Sequence, residues 1–318
     1  MRARDTFRRL PLLRVMLPVR LQRPKGFETW LTIVGATVLA GVLTVTVFAD
    51  YLSPYSPINP FVEVGGQRIR FPILQPPGTS IEVDSPAGKT TLTFPLGTDQ
   101  VGRDVLTRAI HGSRFVMLVA LFSTVLSSML GVPFGLLSGF FGGKLDKAIS
   151  LVMDAIYAFP GLVLAIAIAA LLGPGVVNLS VAIAVVYIPS YFRVVRGQVL
   201  SVKELPYVEA ARALGAGWWD IIRRYVFPNV IPSIAVVVSL NFADAIITEA
   251  GLTFLGLGIP PPTADWGFDL NKGQSFFLSG SWWIGAFPGL MIVISVLGFS
   301  LLGEGLNELL NPKLREQG

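Results

Sequence analysis

Five long apolar stretches decide what this chain can become. Residues 29–49, 115–143, 155–192 and 273–303 contain no Asp, Glu, Lys or Arg, and a fifth stretch, 230–257, is interrupted only by Asp244 and Glu249. Hydrocarbon offers no partner to backbone N–H and C=O groups, so a bilayer is crossed by about 20 predominantly apolar residues wound into a helix that satisfies them internally. The stretch 155–192 is too long for one crossing. Gly173-Pro174-Gly175 near its middle is a turn signal that divides it into two helices joined by a tight hairpin. The expected fold is an all-α polytopic membrane protein with six transmembrane helices. Composition agrees: of 318 residues, 52% are hydrophobic and 14% charged, where a soluble chain carries roughly 25% charged residues.

Cysteine is absent, which excludes disulfide frameworks, thiol catalysis and Cys-based zinc sites. His111 is the single histidine. The formal charge of +5 would suit nucleic acid if the basic residues formed one soluble face, but their distribution follows the membrane instead. With the N-terminus cytoplasmic, 18 of the 25 Lys and Arg residues fall on the inner side, as cytoplasmic loops require. Arg103, Arg108 and Arg114, just before the second helix, run against this bias. Residues 1–28 form a basic cytoplasmic tail, 29–52 the first transmembrane helix, and 311–318 a cytoplasmic C-terminal tail. The first apolar run exceeds the roughly 7–15 residues of a signal-peptide core and is read as an uncleaved anchor. The lipid bilayer is an expected partner and nucleic acid is not.

Residues 53–95 contrast with their surroundings and read as a small extracytoplasmic insertion containing β-hairpins. The segment 61–71 alternates apolar with polar around Gly65-Gly66, and 81–94 offers a second hairpin. Gly88-Lys89-Thr90 imitates the end of a phosphate-binding loop, but that pattern needs glycine where Val83 stands, so energy from ATP has to come from another chain. Val101, Val105, Leu106, Ala109 and Ile110 share one face of a short helix expected to lie along the membrane surface over 96–114.

The rest of the chain, 115–310, is expected to form the membrane core around an inner loop, 200–228. Pro206 suits the first turn of a helix and Glu209 its positive end. The helix continues through Ala210, Ala211 and Arg212 to Gly215, which tolerates the left-handed geometry of a C-terminal cap. A second, amphipathic helix carries Trp218, Ile221, Ile222 and Tyr225 at i, i+3, i+4 and i+7, and Pro228 is expected to end it. Two readings fit equally: a hairpin on the membrane surface, or a handle whose small residues let another protein approach the backbone.

Glu209-Ala210-Ala211, with Gly215 four residues beyond, resembles the EAA loop of ABC importer permeases. Leu96 through Leu106 is similar to the LGTDxxGRDVL stretch of the C-type permease subunits of dipeptide, oligopeptide and nickel importers. So are Gly139-Phe140-Phe141-Gly142-Gly143, the DAIYAFP run from Asp154 to Pro160, VRGQVL from Val195, EAGLTFLGLG from Glu249 and LLGEGL from Leu301. The resemblance covers most of the chain from residue 96 onward. It implies a type I ABC importer permease fold in the cytoplasmic membrane, paired with a second homologous permease, driven by two cytoplasmic ATPases and supplied by an extracytoplasmic solute-binding protein. ATP and Mg²⁺ then belong to the ATPases, with no cofactor, metal or catalytic residue in this chain. The segment from Glu209 to Gly215 becomes the coupling helix that docks in an ATPase groove. The family's usual Ile-x-Leu-Pro closure is replaced by Tyr225-Val226-Phe227-Pro228, a bulkier packing behind that helix. Peptides are the first expectation for the cargo, with oligosaccharides and nickel complexes as alternatives.

In such a transporter Asp244 and Glu249 are candidates for the path or for helix packing, because a carboxylate within the bilayer normally faces the bundle interior. Five residues apart, they point about 140° from each other. Asp244 is expected to approach the path and Glu249 to anchor packing near the outer end; both as partners of polar groups in the second permease is equally compatible. Asp154 is expected to open the third helix as its cap, or to pair with Arg193 or Arg196 across the inner mouth. Pro160, Pro189, Pro232 and Pro288 are candidate kinks. An intramembrane hydrolase would need a reactive cluster the sequence lacks, and an ATP-independent channel or secondary carrier of the inverted-repeat kind would need a repeat that is not detectable.

Overall fold

The computed structural model describes residues 27–85 and 88–310; the tails expected at the two ends lie outside the described residues apart from the start of the first helix. In chain order the elements are α1 (Phe27–Val47), α2 (Ala49–Leu52), β1 (Phe61–Val64), β2 (Gln67–Arg70), β3 (Thr79–Ser85), β4 (Gly88–Phe94), α3 (Val105–Phe141), α4 (Gly143–Tyr157), α5 (Gly161–Leu172), α6 (Val176–Val202), α7 (Pro206–Ala213), α8 (Trp218–Ile221), a π-helical turn (Ile222–Val226), α9 (Phe227–Phe254), α10 (Trp266–Phe277) and α11 (Trp283–Leu310). Among the described residues five helical spans are long and apolar enough to cross a membrane: α1, α3, α6, the continuous stretch from α8 through α9, and α11. The pair α4 and α5, bent by 89°, makes a sixth when counted as one broken span.

Sequence and structure part at four places. The surface helix expected over 96–114 does not form. Residues 96–104 are a loop closed by a bridge between Thr98 and Asp104, and α3 runs unbroken from Val105. Asp104 caps it, accepting from the Thr107 N–H at 2.8 Å, and Val105, Ala109 and Ile110 are buried in the protein rather than laid on a bilayer. The third crossing begins at Gly143, not at Asp154, so Asp154 stands in the last turn of α4 and its role as an N-terminal cap is overturned. Lys144, Asp146 and Lys147 exclude that helix from the apolar run without opposing it: lysine is a good helix former, and Asp146 stands in the first turn, where a carboxylate meets the positive end of the helix. Pro160 then stands at the N-cap of α5, at the 89° break. Pro228 does not end a helix: the chain passes from α8 through the π-helical turn into α9, where Pro228 occupies the first turn and its missing N–H is tolerated. Finally, the stretch 273–303 contains the end of α10 and most of α11, divided at 278–282.

Without a hydrophobic force between helices in lipid, close packing has to come from small residues. Gly131, Gly135 and Gly139 stand every fourth residue on α3 and receive α6. A Cβ at Gly135 would lie 2.8 Å from the Cβ of Val195 and 2.9 Å from the Phe192 carbonyl oxygen; at Gly131 it would lie 2.6 Å from the Cβ of Tyr191. Phe242 of α9 stacks on Phe299 of α11 with ring centroids 4.0 Å apart. The two hairpins are antiparallel. Val64 pairs with Gln67 across Gly65-Gly66, both at positive φ, which only a two-residue turn of this kind requires. Phe71, Phe94 and Tyr55 close the hairpins into one small core, with ring centroids 4.8–5.4 Å apart.

Gly135→Val pushes α6 away from α3 along this seam. The expected outcome is a loss of about 1–3 kcal/mol, read as a lowered unfolding midpoint in detergent, whereas Gly41→Val, where a Cβ meets nothing within 4 Å, leaves the midpoint unchanged.

Candidate functional site

At the end of the bundle remote from the hairpins, α7 projects between α6 and α8. Pro206 supplies its first turn and Glu209 its early negative charge. Its C-terminus closes as a Schellman motif: the Ala216 N–H donates to Ala211 O at 3.1 Å and the Gly215 N–H to Arg212 O at 3.0 Å, with Gly215 at φ 84°. Glu209, Ala210, Arg212 and Gly215 are exposed, and Leu214 is 89% exposed. Ala211 departs from the sequence reading. With Val208 it is buried against the protein's own core, because three- and four-residue spacing puts 208 and 211 on the inner face of a short helix. Leu214, which sequence reasoning passed over, is the apolar tip of the exposed face.

Asp244 and Glu249 occupy opposite environments on α9. Asp244 is exposed, in line with Leu240 and Ile247. One turn further along, about 40° around α9 from Asp244, the Tyr187 hydroxyl of α6 bonds the Thr248 hydroxyl at 2.7 Å, and Thr248 donates to the Asp244 carbonyl at 2.9 Å. Glu249 is fully buried and accepts from the Thr253 hydroxyl at 2.9 Å. It adjoins Asp265, the N-cap of α10, which accepts from the Phe268 N–H at 3.0 Å. Burial pushes the Asp265 carboxyl above its ordinary range, against the pull of the Phe268 and Gly267 N–H groups.

Beside them lies a buried ion pair with no local signature in the sequence. Arg108 of α3 and Asp269 of α10 meet at 2.6 Å, and every N–H of the guanidinium finds an acceptor: Asp269 again, Pro57 O at 2.8 Å, and the carbonyls of Pro262 and Thr263 at 3.2 Å. Burial raises the Asp269 carboxyl and Arg108 opposes the shift. Arg103 pairs with Asp99 at 2.6 Å and Arg114 with Asp50 at 2.8 Å, so the three arginines that defied the charge bias are each held by a carboxylate. Trp283 Nε1 donates to Thr98 O at 3.1 Å and Trp266 Nε1 to Ala109 O at 2.8 Å. The segment 96–108 thus ties the hairpins to α3, α10 and α11. Near it an apolar cavity of about 670 Å³ opens between α9, α10 and α11, lined by Phe254, Leu270, Phe277 and Leu278 among others, with Gln274 its one side-chain amide.

At the α7 end, Asp154 pairs with Arg193 at 2.7 Å, and the guanidinium lies 3.8 Å from the centroid of the Tyr157 ring. Arg196 turns instead to Asp146, with bonds of 2.6 and 2.7 Å. The sequence offered two partners for Asp154; the register of α4 against α6 selects Arg193 and brings in Asp146, which fifty residues of intervening chain had concealed.

A bundle of apolar spans that presents a short capped helix between two of them has the form of a membrane transport subunit working beside other chains. The chain belongs to the family of binding-protein-dependent transport system inner membrane components, whose sequence pattern matches residues 131–316. It is 42% identical over 220 residues to a glutathione transport system permease protein of Pectobacterium atrosepticum, covering 69% of this chain and 73% of that one. It is 40% identical to a di/tripeptide transport system permease protein of Pseudomonas aeruginosa (84% and 83% covered) and 35% identical to a probable D,D-dipeptide transport system permease protein of Escherichia coli (89% and 88% covered). Its fold matches a chain of the MetNI methionine ABC transporter in an inward-facing conformation, with a TM-score of 0.51 at 17% identity over 65% of this chain and 97% of that one. The protein is an inner-membrane permease subunit of the ABC importer class with the type I permease fold.

Arg108→Ala leaves the Asp269 carboxylate buried and uncompensated. A loss of about 3–5 kcal/mol is expected, seen as a lowered unfolding midpoint; the double variant Arg108→Met with Asp269→Leu recovers most of it.

Proposed function

We propose that this permease carries short peptides, that it works paired with a second homologous permease, and that α7 is the coupling helix docking in the groove of a cytoplasmic ATPase. In this reading the α7 end faces the cytoplasm, ATP and Mg²⁺ are held by two ATPase chains, and an extracytoplasmic binding protein delivers cargo at the hairpin end. The observation that carries it is the surface of α7: an exposed strip of Glu209, Ala210, Arg212 and Leu214 on a helix whose ends are closed by its own backbone. Such a helix presents a preformed shape at little entropic cost. The substrates in the names of the relatives above, glutathione, di- and tripeptides and D,D-dipeptides, share peptide bonds and free termini, which supports peptides as the cargo. ATP-driven closure of the ATPases moves the two coupling helices and switches the pathway between its openings.

Asp244 then serves the path between the two permeases. A carboxylate exposed on a membrane-spanning helix of the single chain is too costly to leave in lipid and requires a polar neighbour; a peptide's ammonium group or the partner permease supplies one.

Two measurements test the assignment in the assembled transporter. The double variant Glu209→Arg, Gly215→Trp is expected to lose the ATPases on co-purification while retaining the second permease; ATPases retained at wild-type level would refute the docking role. Asp244→Ala is expected to keep the ATPases and lower ATP-driven uptake of labelled dipeptides at least about tenfold, and unchanged uptake would exclude Asp244 from the path.

A further inference from the structure

Along the second half of α6, Arg193, Arg196 and Lys203 fall within about 80° of one another around the helix axis; Arg196 and Lys203 reach across to the elbow between α3 and α4, and Arg193 to the far end of α4. Arg196 grips Asp146 through Nε at 2.6 Å and Nη2 at 2.7 Å, a planar two-point contact that resists sliding of one helix past the other. The Ser138 hydroxyl of α3 donates to the same carboxylate. Arg193 binds Asp154 at 2.7 Å, and Lys203 Nζ donates to Gly139 O at 2.9 Å, in the last turn of α3 where carbonyls lack helical partners. The Asp154 pair is well exposed, at 42% and 61% of its side chains, whereas Arg196 and Asp146 are 33% and 17% exposed; water screens the former pair more. Asp146 is therefore the centre of this ladder.

Its position is informative. Lys203 caps α6 and Leu205 caps α7, so Glu204 alone separates the ladder from the start of α7, and Leu205 N–H to Val202 O at 3.1 Å stiffens that link. On the far side α4 turns by 89° into α5, which packs on α6 and α9; a Cβ at Gly251 of α9 would lie 3.6 Å from Leu162 of α5. Apart from the ladder, α4 is held to α6 by Met153 and Ile149 against Ile188 and Phe192, while Leu145, Leu151 and Val152 are exposed. Apolar contacts of this size permit sliding and the ladder does not.

We propose that Asp146, held by Arg196, is a positioning residue for transport: it makes the bent pair α4 and α5 move as one body with α6 and α7, carrying force applied at α7 into the hairpin half of the bundle. The inference rests on α7 being the ATPase-docking helix. This chain contains no cysteine, so a direct test is possible in the transporter assembled with partner chains whose own cysteines have been replaced. Spin labels on Val163→Cys in α5 and Val293→Cys in α11 report the separation of these helices with and without ATP and vanadate. The labelled protein with Asp146 intact is expected to change its separation on trapping. Asp146→Asn is expected to keep the ATPases bound and hydrolysing within about twofold of that rate, yet to lose the change in separation, with uptake of labelled dipeptides per ATP falling at least about tenfold; Asp146→Glu restores both. A wild-type response in Asp146→Asn overturns the proposal, as does loss of ATPase binding together with the response, which marks a merely structural role. A separation indifferent to trapping with Asp146 intact overturns it too. Failure of ATPases to co-purify with the intact protein refutes the docking role of α7 itself and is read before any variant.

Discussion

Lipid tails are as apolar as the side chains they touch, so the contact between α3 and α6 has to be won by bringing two backbones together. Glycine at every fourth position of α3 makes that approach possible. With α6 seated, the register of every other contact follows: Arg196 falls opposite Asp146, Arg193 opposite Asp154, and Tyr187 opposite Thr248 of α9. The same register carries the C-terminus of α6 to the point where α7 begins.

The two ends of the bundle are fixed by different means. At the hairpin end Arg103 with Asp99 and Arg108 with Asp269 are buried ion pairs, the second saturated with hydrogen bonds. Such a pair contributes little net stability against an apolar substitute but penalises any arrangement that separates its members, which suits a region that must hold the hairpins, α3, α10 and α11 in one geometry. At the α7 end the pairs are half open to water, and α7 itself is held by Val208, Ala211 and its backbone cap.

Charge and apolar length were readable because they act locally. Charge-free runs located the spans, the Gly65-Gly66 turn located a hairpin, and Gly215 marked the end of α7. A single local signal misleads where a second effect acts on the same residues. Charge at Lys144, Asp146 and Lys147 ends the apolar run without ending the helix, because a helix needs apolar residues only where it meets lipid or core. Proline at 228 is a local stop signal, but the π-helical turn ahead of it admits the ring and the helix continues. The apolar face at Val105, Ala109 and Ile110 packs inside the protein and not on the membrane surface, a distinction periodicity does not carry because it shows that a face is buried and not against what.

By itself the sequence determined the number and rough position of the membrane crossings, the presence of β structure between the first two, and a short helix closed by Gly215, since each depends on residues within a few positions of one another. Tertiary structure alone decided which charges meet. Asp146 with Arg196 and Arg108 with Asp269 join residues 50 and 161 positions apart, and their pairing depends on helix register and crossing, which no short window of sequence contains. It decided, too, that Asp244 is open and Glu249 enclosed, because the same helix turns one residue toward its own bundle and the other away from it.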